Sequence, residues 1–363
     1  MKHSLTPSLA DAQTQISRRA LLIRAGSAVW ISSILLGCGT PASNGAGSTT
    51  LSASPSVPPS PTPTAVPPDP NLLFTYKGHS AEVYIVAWAP DSTRLASAGR
   101  DQTVQVWDAR NGSNPYIYKG HSDRITALDW SHHGDRIVSG SRDGTAQVWN
   151  AQTGKLLITY NGHEGEVLTA AWSPGDTHIA SAGVDSTVQI WNSQTGKLLT
   201  SYKGHSDAVT VVSWSPDGKH ITSSSLDKTV QVWDAQHGTH LFTYTGHSDA
   251  VNSVAWSHDG KHIASCGQDK TAQVWNAQDG SSPVLYKEHT ATVDALAWSS
   301  DSTLLASGSY DRTVQVWNAL AGSRLYTYTG HTDVVEAVAW STDGALIASC
   351  SDDRTVQVWR APK

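Results

Sequence analysis

The sequence predicts an all-β protein made of seven copies of one four-stranded unit. Three observations carry that prediction. Gly-His pairs recur at 78–79, 120–121, 162–163, 204–205, 246–247 and 330–331, with Glu288-His289 in the remaining slot, so the spacing is 42 residues throughout. Two tryptophan series keep the same period, one at 107, 149, 191, 233, 275, 317 and 359, the other at 88, 130, 172, 214, 256, 298 and 340; with Trp30 they account for all 15 tryptophans. Between these marks lie short runs rich in β-branched and aromatic residues, and no window shows the 3.6-residue apolar period of an amphipathic helix.

The first repeat shows the unit. Val83-Tyr84-Ile85-Val86-Ala87-Trp88 reads as a strand, and Pro90-Asp91 opens a turn. Arg94-Leu95-Ala96-Ser97 is a second strand, and Gly99-Arg100-Asp101 a tight turn. Thr103 to Trp107 alternates with period two and forms a third strand; Asn111-Gly112 turns the chain into a fourth at Tyr116-Ile117-Tyr118. Residues 72–76, Leu-Leu-Phe-Thr-Tyr, match fourth-strand segments such as 156–160, yet they precede the first Gly-His. The chain ends just after Trp359, where a third strand ends. The last unit therefore lacks an outer strand, and the N-terminal segment is expected to supply it, which joins both ends of the array in one sheet and leaves no open edge.

Composition narrows the function. Of 363 residues, 15% are charged, against about a quarter in ordinary soluble domains, which excludes a long solvated helix or a polyelectrolyte tail. With 15 Trp and 11 Tyr the chain can bury enough surface to offset its ordering entropy. The net charge of −6, from 25 basic and 31 acidic residues, offers no basic field for general nucleic-acid binding. Three cysteines cannot build a disulfide framework.

Every repeat also carries His, then Ser 18 residues on, Asp 22 on and Trp 28 on: His79, Ser97, Asp101 and Trp107 in the first, His205, Ser223, Asp227 and Trp233 in the fourth, His331, Ser349, Asp353 and Trp359 in the last. Ser, His and Asp together suggest a hydrolase triad, but an active site need occur once, whereas a structural device repeats with its scaffold. The fixed period with Gly-His and Trp-Asp marks resembles the WD-repeat family over residues 71–363. That resemblance implies a seven-bladed β-propeller, each blade a four-stranded antiparallel sheet. It also implies that the four residues form a buried hydrogen-bonded tetrad that rigidifies each blade rather than a catalytic centre.

The first 70 residues read as an address and a spacer. In residues 1–37, Ser17-Arg18-Arg19-Ala20-Leu21-Leu22 resembles a twin-arginine export signal, and 13 uncharged residues, 25–37, form an apolar stretch too short to span a bilayer. Leu35-Leu36-Gly37-Cys38 resembles a bacterial lipobox, which would make Cys38 the lipidated N-terminus after cleavage. An uncleaved signal anchor is the alternative, and it too would place the rest of the chain outside. Residues 38–70 follow as a tether: positions 40–70 hold 9 Pro and 11 Ser or Thr, a composition that favours extended polyproline II. The expected location is the extracytoplasmic face of a bacterial cell membrane.

Function is expected where the repeats disagree. By the resemblance, the partner-binding face uses three positions per blade: the two flanking the first apolar residue of strand one, and the residue before the tetrad Asp. The first varies as Glu82, Arg124, Glu166, Ala208, Ala250, Thr292 and Val334. The second varies as Tyr84, Thr126, Leu168, Thr210, Asn252, Asp294 and Glu336, and the third as Arg100, Arg142, Val184, Leu226, Gln268, Tyr310 and Asp352. Blades one and two thus offer Arg100, Arg124 and Arg142 beside Tyr84 and Glu82. Blades three and four offer Leu168, Val184 and Leu226, and blades six and seven Asp294, Tyr310, Glu336 and Asp352. Basic, apolar and acidic sectors suit a protein or peptide partner, so the expectation is a monomeric, non-enzymatic scaffold without cofactor or metal. A ligand or glycan sensor on the same face, using Tyr84 and Tyr310, is the alternative. An enzyme in the central channel would need a singular polar cluster in one blade, and none is apparent. His132, His133, His178, His220, His258 and His262 fall in or beside first-hairpin turns and read as solvated. Cys266 and Cys350, two blades apart, read as small packed residues.

Overall fold

A computed structural model describes residues 69–362. The signal segment 1–37, Cys38 and the tether as far as residue 68 lie outside the described residues. The described chain forms 28 strands, β1 to β28 in chain order, in seven four-stranded antiparallel sheets. After β1 (Leu72–Tyr76), the first blade is β2 (Val83–Trp88), β3 (Arg94–Gly99), β4 (Val104–Asp108) and β5 (Tyr116–Tyr118). Blades two to six repeat the pattern as β6–β9 (125–160), β10–β13 (167–202), β14–β17 (209–244), β18–β21 (251–286) and β22–β25 (293–328). The seventh is β26 (Val335–Trp340), β27 (Leu346–Ser351) and β28 (Val356–Arg360), completed by β1 in the order β1-β28-β27-β26. The expected closure of the ring is met, with Phe74 opposite Val358 and Tyr76 opposite Val356.

Closure begins slightly before the strand. Asp69, which composition assigns to the tether, accepts a hydrogen bond from the Tyr326 hydroxyl of blade six. Asn71 donates its side-chain amide to the same hydroxyl at 3.0 Å, and its carbonyl accepts from Arg360 N at 2.9 Å.

Packing runs between blades. The third-strand tryptophans, Trp107 through Trp359, are all 0% exposed. Each is stacked by the tyrosine that ends the preceding blade's outer strand: Tyr76 on Trp107 with centroids 4.3 Å apart, Tyr202 on Trp233 at 4.6 Å, Tyr286 on Trp317 at 4.5 Å. The same tyrosine donates its hydroxyl to a glutamine of the next blade's third strand, as Tyr76 to Gln105 at 2.7 Å and Tyr244 to Gln273 at 2.6 Å. Stacked rings contribute about 1 kcal/mol beyond the area they bury, so seven such clamps tie the ring together. The clamp explains the glycine of Gly-His: a Cβ on Gly78 would sit 2.3 Å from the Tyr76 hydroxyl and 2.6 Å from Gln105 Oε1. In six blades the glutamine amide donates to the carbonyl at this position, as Gln231 to Gly204 at 3.2 Å. In the sixth, where Glu288 replaces glycine, the Gln315 amide reaches only Thr313, at 3.5 Å.

Candidate functional site

The repeated polar residues come together inside every blade. In the fourth, His205 Nδ1 lies 2.8 Å from Asp227 Oδ2, His205 Nε2 lies 2.8 Å from Ser223 Oγ, and Trp233 Nε1 donates to Ser223 Oγ at 3.4 Å. The Ser206 and Thr229 amides and the Thr229 hydroxyl also donate to the Asp227 carboxylate. The first and last blades repeat the chain, His79-Asp101 and His331-Asp353 at 2.9 Å, with Trp107 on Ser97 and Trp359 on Ser349. Blade two departs from the rest: its His121, Asp143 and Ser139 connect, but the buried Trp149 Nε1 has no hydrogen-bond partner.

Burial would raise the Asp227 carboxyl, but the hydrogen bonds from His205 and Thr229 outweigh it and hold it at about 2. A carboxylate held below its unfolded value adds stability that is present above about pH 4 and is lost as the pH falls toward 2. The Ser97, Ser223 and Ser349 hydroxyls belong to residues 0% exposed, so a substrate has no path to them. His205→Ala leaves Asp227 and Ser223 without their shared partner and is expected to cost about 2 kcal/mol, read as a lower urea midpoint with an unchanged slope.

The variable positions gather at one end of the ring, and backbone geometry arranges them. In each blade the first and third positions are joined by a backbone hydrogen bond, as Arg100 N to Glu82 O at 2.9 Å, Leu226 N to Ala208 O at 3.1 Å and Asp352 N to Val334 O at 3.1 Å. The second position is skipped by the strand pairing: the register shifts between Val83 and Ile85, and at the matching place in all seven blades. A bulge of this kind re-aims one side chain. It turns Thr126, Leu168, Asp294 and Glu336 onto a central cavity of about 740 Å³. At the same position in blades four and five the side chain locks neighbouring blades: the Thr210 hydroxyl donates to Val251 O at 2.8 Å and Asn252 Nδ2 to Val293 O at 3.3 Å.

The candidate residues therefore divide. Glu82, Tyr84, Arg124, Arg142, Val184, Leu226 and Tyr310 are half-buried at the rim, and Arg100 is exposed. Leu168, Asp294, Glu336 and Asp352 are buried, at 5%, 0%, 2% and 6% exposure. The basic sector is partly neutralised in a way the repeat comparison does not reveal: Arg100 pairs with Glu82 at 2.7 Å and Arg142 with Glu166 of the next blade at 2.5 Å. Tyr84 sits where the ring closes. Burial raises its hydroxyl pKa; Arg124 opposes, while Glu82, Glu336 and Asp352 add to the rise.

The opposite end of the cavity is ringed by indoles of the second tryptophan series. Trp88, Trp130, Trp214 and Trp298 donate Nε1 to a carbonyl of the preceding blade at 3.1 to 3.2 Å. Between blades two and three, the side chain of Asp129 takes over this linkage. Asp129 Oδ2 accepts from Trp172 N at 2.8 Å and Oδ1 from Trp130 N at 2.9 Å, and the Trp172 indole N–H is left without a partner. Beside it, His132 and His133 both bind Asp176 of the next blade, through Nδ1 at 3.1 and 2.5 Å and through their backbone amides. These two imidazoles are exposed, as the sequence reading has them, and are also anchored across a blade junction. Together with Asp129 they make a polar cluster found at this one junction, which the sequence reading missed. Its signal was available: Asp129 stands where the other blades hold Ala87, Ala171, Ser213, Ala255, Ala297 and Ala339. Cys266 and Cys350 are buried in the blade cores. Among the described residues no group of three or more His, Cys, Asp or Glu is placed to hold a metal ion.

Seven closed blades, each with an internal His-Asp-Ser network and a Tyr-Trp clamp to its neighbour, define the molecule as a repeat propeller. The model of the WD domain, G-beta repeat, matches seven segments: 70–108, 112–150, 154–192, 196–234, 238–276, 280–318 and 322–360. The chain belongs to the WD40 repeat family. It is similar over single-repeat lengths to the WD repeat-containing protein slp1 of Schizosaccharomyces pombe, 51% identical over 39 residues, 11% of this chain and 8% of that protein. It is also similar to Protein HIRA of Zea mays, 39% over 49 residues, 13% of this chain and 5% of that protein. The F-box-like/WD repeat-containing protein TBL1Y of Homo sapiens is 42% identical over 45 residues, 12% of this chain and 9% of its own length. The matched stretches thus span less than a tenth of each of these relatives. Propellers of this family generally act as protein-interaction scaffolds rather than as enzymes.

Proposed function

We propose that this chain is a membrane-tethered, extracytoplasmic scaffold, a monomeric propeller that docks protein or peptide partners on the end of the ring where the variable positions gather. One observation carries the reading: a near-identical frame, with Thr or its neighbour leading into Gln-x-Trp in every third strand, presents a different set of side chains from each blade at a single rim. Rigid backbone with varied, partly desolvated Arg, Tyr and Leu side chains is what a recognition surface requires. The tether reading is supported by the order of the N-terminal marks: paired Arg18 and Arg19, a short apolar stretch, Cys38, then a Pro-rich spacer. At about 3.1 Å per residue such a spacer would hold the ring tens of Å from its anchor.

The test is recovery of partners from detergent-solubilised membranes with wild type and with the Tyr84→Ala, Arg100→Ala, Arg124→Ala triple variant. Wild type is expected to retain a partner that the variant loses, and equal recovery by both would overturn the assignment of this rim. For the anchor, labelled fatty acid is expected in the wild-type protein and absent from Cys38→Ser. Label that survives this substitution places the lipid elsewhere.

A further inference from the structure

We propose that the Pro-rich part of the tether, residues 55–68, docks in a groove between blades four and five, at the end of the ring opposite the variable rim. The groove has a volume of about 480 Å³. Pro216, His220, Leu241, Phe242 and Trp256 line it, together with the buried Val232. His220 and Trp256 lie nearly parallel, 21° between planes and 6.4 Å between centroids, and Phe242 stands edge-on to Trp275 at 5.9 Å. The three rings that line the groove are half-buried, and Pro216 and Leu241 beside them are exposed, so flat apolar surface is open to an occupant.

The tether has the chemistry for this place. Prolyl rings pack flat on aromatic faces, and a chain already in polyproline II loses little entropy on docking. Positions 55–68 hold seven prolines, and residues 40–68 contain no charged side chain. The groove's own acids are paired, Asp217 with Lys219 at 3.8 Å and Asp259 with Lys261 at 3.6 Å, which suits an uncharged occupant. The tether also reaches the ring at the height of the groove. Asp69 accepts from the Tyr326 hydroxyl, and Tyr326 faces Val316 across the strand pair as Phe242 faces Val232 two repeats earlier. In blade six this position is therefore covered by the end of the tether, Asp69 and Asn71, whereas in blade four it borders the open groove. Leu325, Leu285 and Leu241, exposed at 52%, 46% and 48%, mark the outer strands between the two points. At about 3.1 Å per residue, residues 55–68 extend to roughly 43 Å. Packed sheets stand about 10 Å apart and fan outward here, so a two-blade path falls within that reach. The docking needs only the covalent connection at Asp69. Its consequence rests on the tether reading: residues 38–54 remain as spacer, and the variable rim is turned away from the anchor.

The experiment places the photoreactive residue p-benzoyl-phenylalanine at Leu241 of the full chain and, in a second protein, at Ile117. Both side chains are exposed, at 48% and 46%, in outer strands two blades from Tyr326, one on either side. Unguided contact with the tether would label both alike. Docking is expected to give at least roughly tenfold more adduct with residues 55–68 at Leu241, because attachment to the same chain supplies an effective concentration of order mM even for a weak contact. The Pro58→Ser, Pro59→Ser, Pro61→Ser, Pro63→Ser variant is expected to lose this excess at unchanged melting temperature. Equal adduct at both positions, or none at Leu241, overturns the proposal. An excess that survives the serine variant overturns recognition through proline. Adducts that join two chains overturn docking within one chain and assign the groove to a second copy. The fatty-acid label on Cys38 is read separately, so a failed anchor and a failed docking are told apart.

Discussion

The Phe74→Ala, Tyr76→Ala variant of the full chain is expected to lose about 5 kcal/mol or more of stability and to open the ring at one place. Phe74 lies 6.2 Å from Trp107, centroid to centroid, and Tyr76 stacks on the same indole while its hydroxyl donates to Gln105. Truncating a buried aromatic side chain costs about 3 to 5 kcal/mol. A matched control isolates what closure adds. Tyr202 makes the same stack on Trp233 and donates to Gln231 at 2.5 Å, but its strand, β13, is joined by a turn to β12 of the same blade. β1 has no such covalent link to β28 and is held there only by pairing and packing. Tyr202→Ala should therefore cost about 3 kcal/mol and leave the digestion pattern unchanged. The Phe74, Tyr76 variant should be cut first within β26–β28, because an unpaired β28 exposes a free edge. Cleavage spread evenly over all blades would show that the ring does not depend on this strand.

Much of this architecture was legible because the scaffold repeats its chemistry as well as its shape. A hydrogen-bonded chain from indole through hydroxyl and imidazole to carboxylate demands four residue types at fixed spacing, so the 42-residue period carries it openly. Closure was legible for a similar reason: residues 72–76 carry the tyrosine and apolar pattern of an outer strand in a place where no strand should start. The Tyr-Gln clamp was equally periodic, at Tyr76, Tyr118 and their successors, yet its partners sit 29 residues apart in different blades, and one-blade reading does not pair them.

The interaction end was less legible. A bulge is a backbone event that accepts Tyr84, Leu168 or Glu336 alike, so no residue type announces it. Without it, Asp294 and Glu336 look like rim acids rather than cavity walls. The pairing of Arg142 with Glu166 likewise crosses from one blade to the next, and a sequence of positions cannot show which charges cancel. The buried acids and the neutralised basic sector are consequences of ring geometry, which separates side chains at the rim from those turned onto the cavity.

The cluster between blades two and three should make stability depend on pH in an unusual direction. Burial at the cavity wall pushes the Asp129 carboxyl up to about 6, against the hydrogen bonds from Trp172 N and Trp130 N and the nearby His132; Asp176 adds to the rise. In the unfolded chain the same group titrates near its ordinary value of about 4. Between these pH values the folded protein holds a proton that the unfolded chain has released, so stability falls as pH rises from about 4 to 6, and the loss is complete above that. The tetrad aspartates act oppositely and at lower pH, since Asp227, Asp311 and Asp353 are held at about 2. Asp129→Ala restores the residue found in most blades and removes the ionisable carboxyl. The difference in unfolding free energy, variant minus wild type, should therefore grow in the variant's favour by up to about 3 kcal/mol between pH 4 and pH 7, whatever constant is lost with the two amide bonds. Urea denaturation at closely spaced pH values measures the difference directly. A curve that stays flat across this interval would mean that the carboxyl ionises in the folded ring as easily as in water, and that the two backbone amides alone compensate its burial.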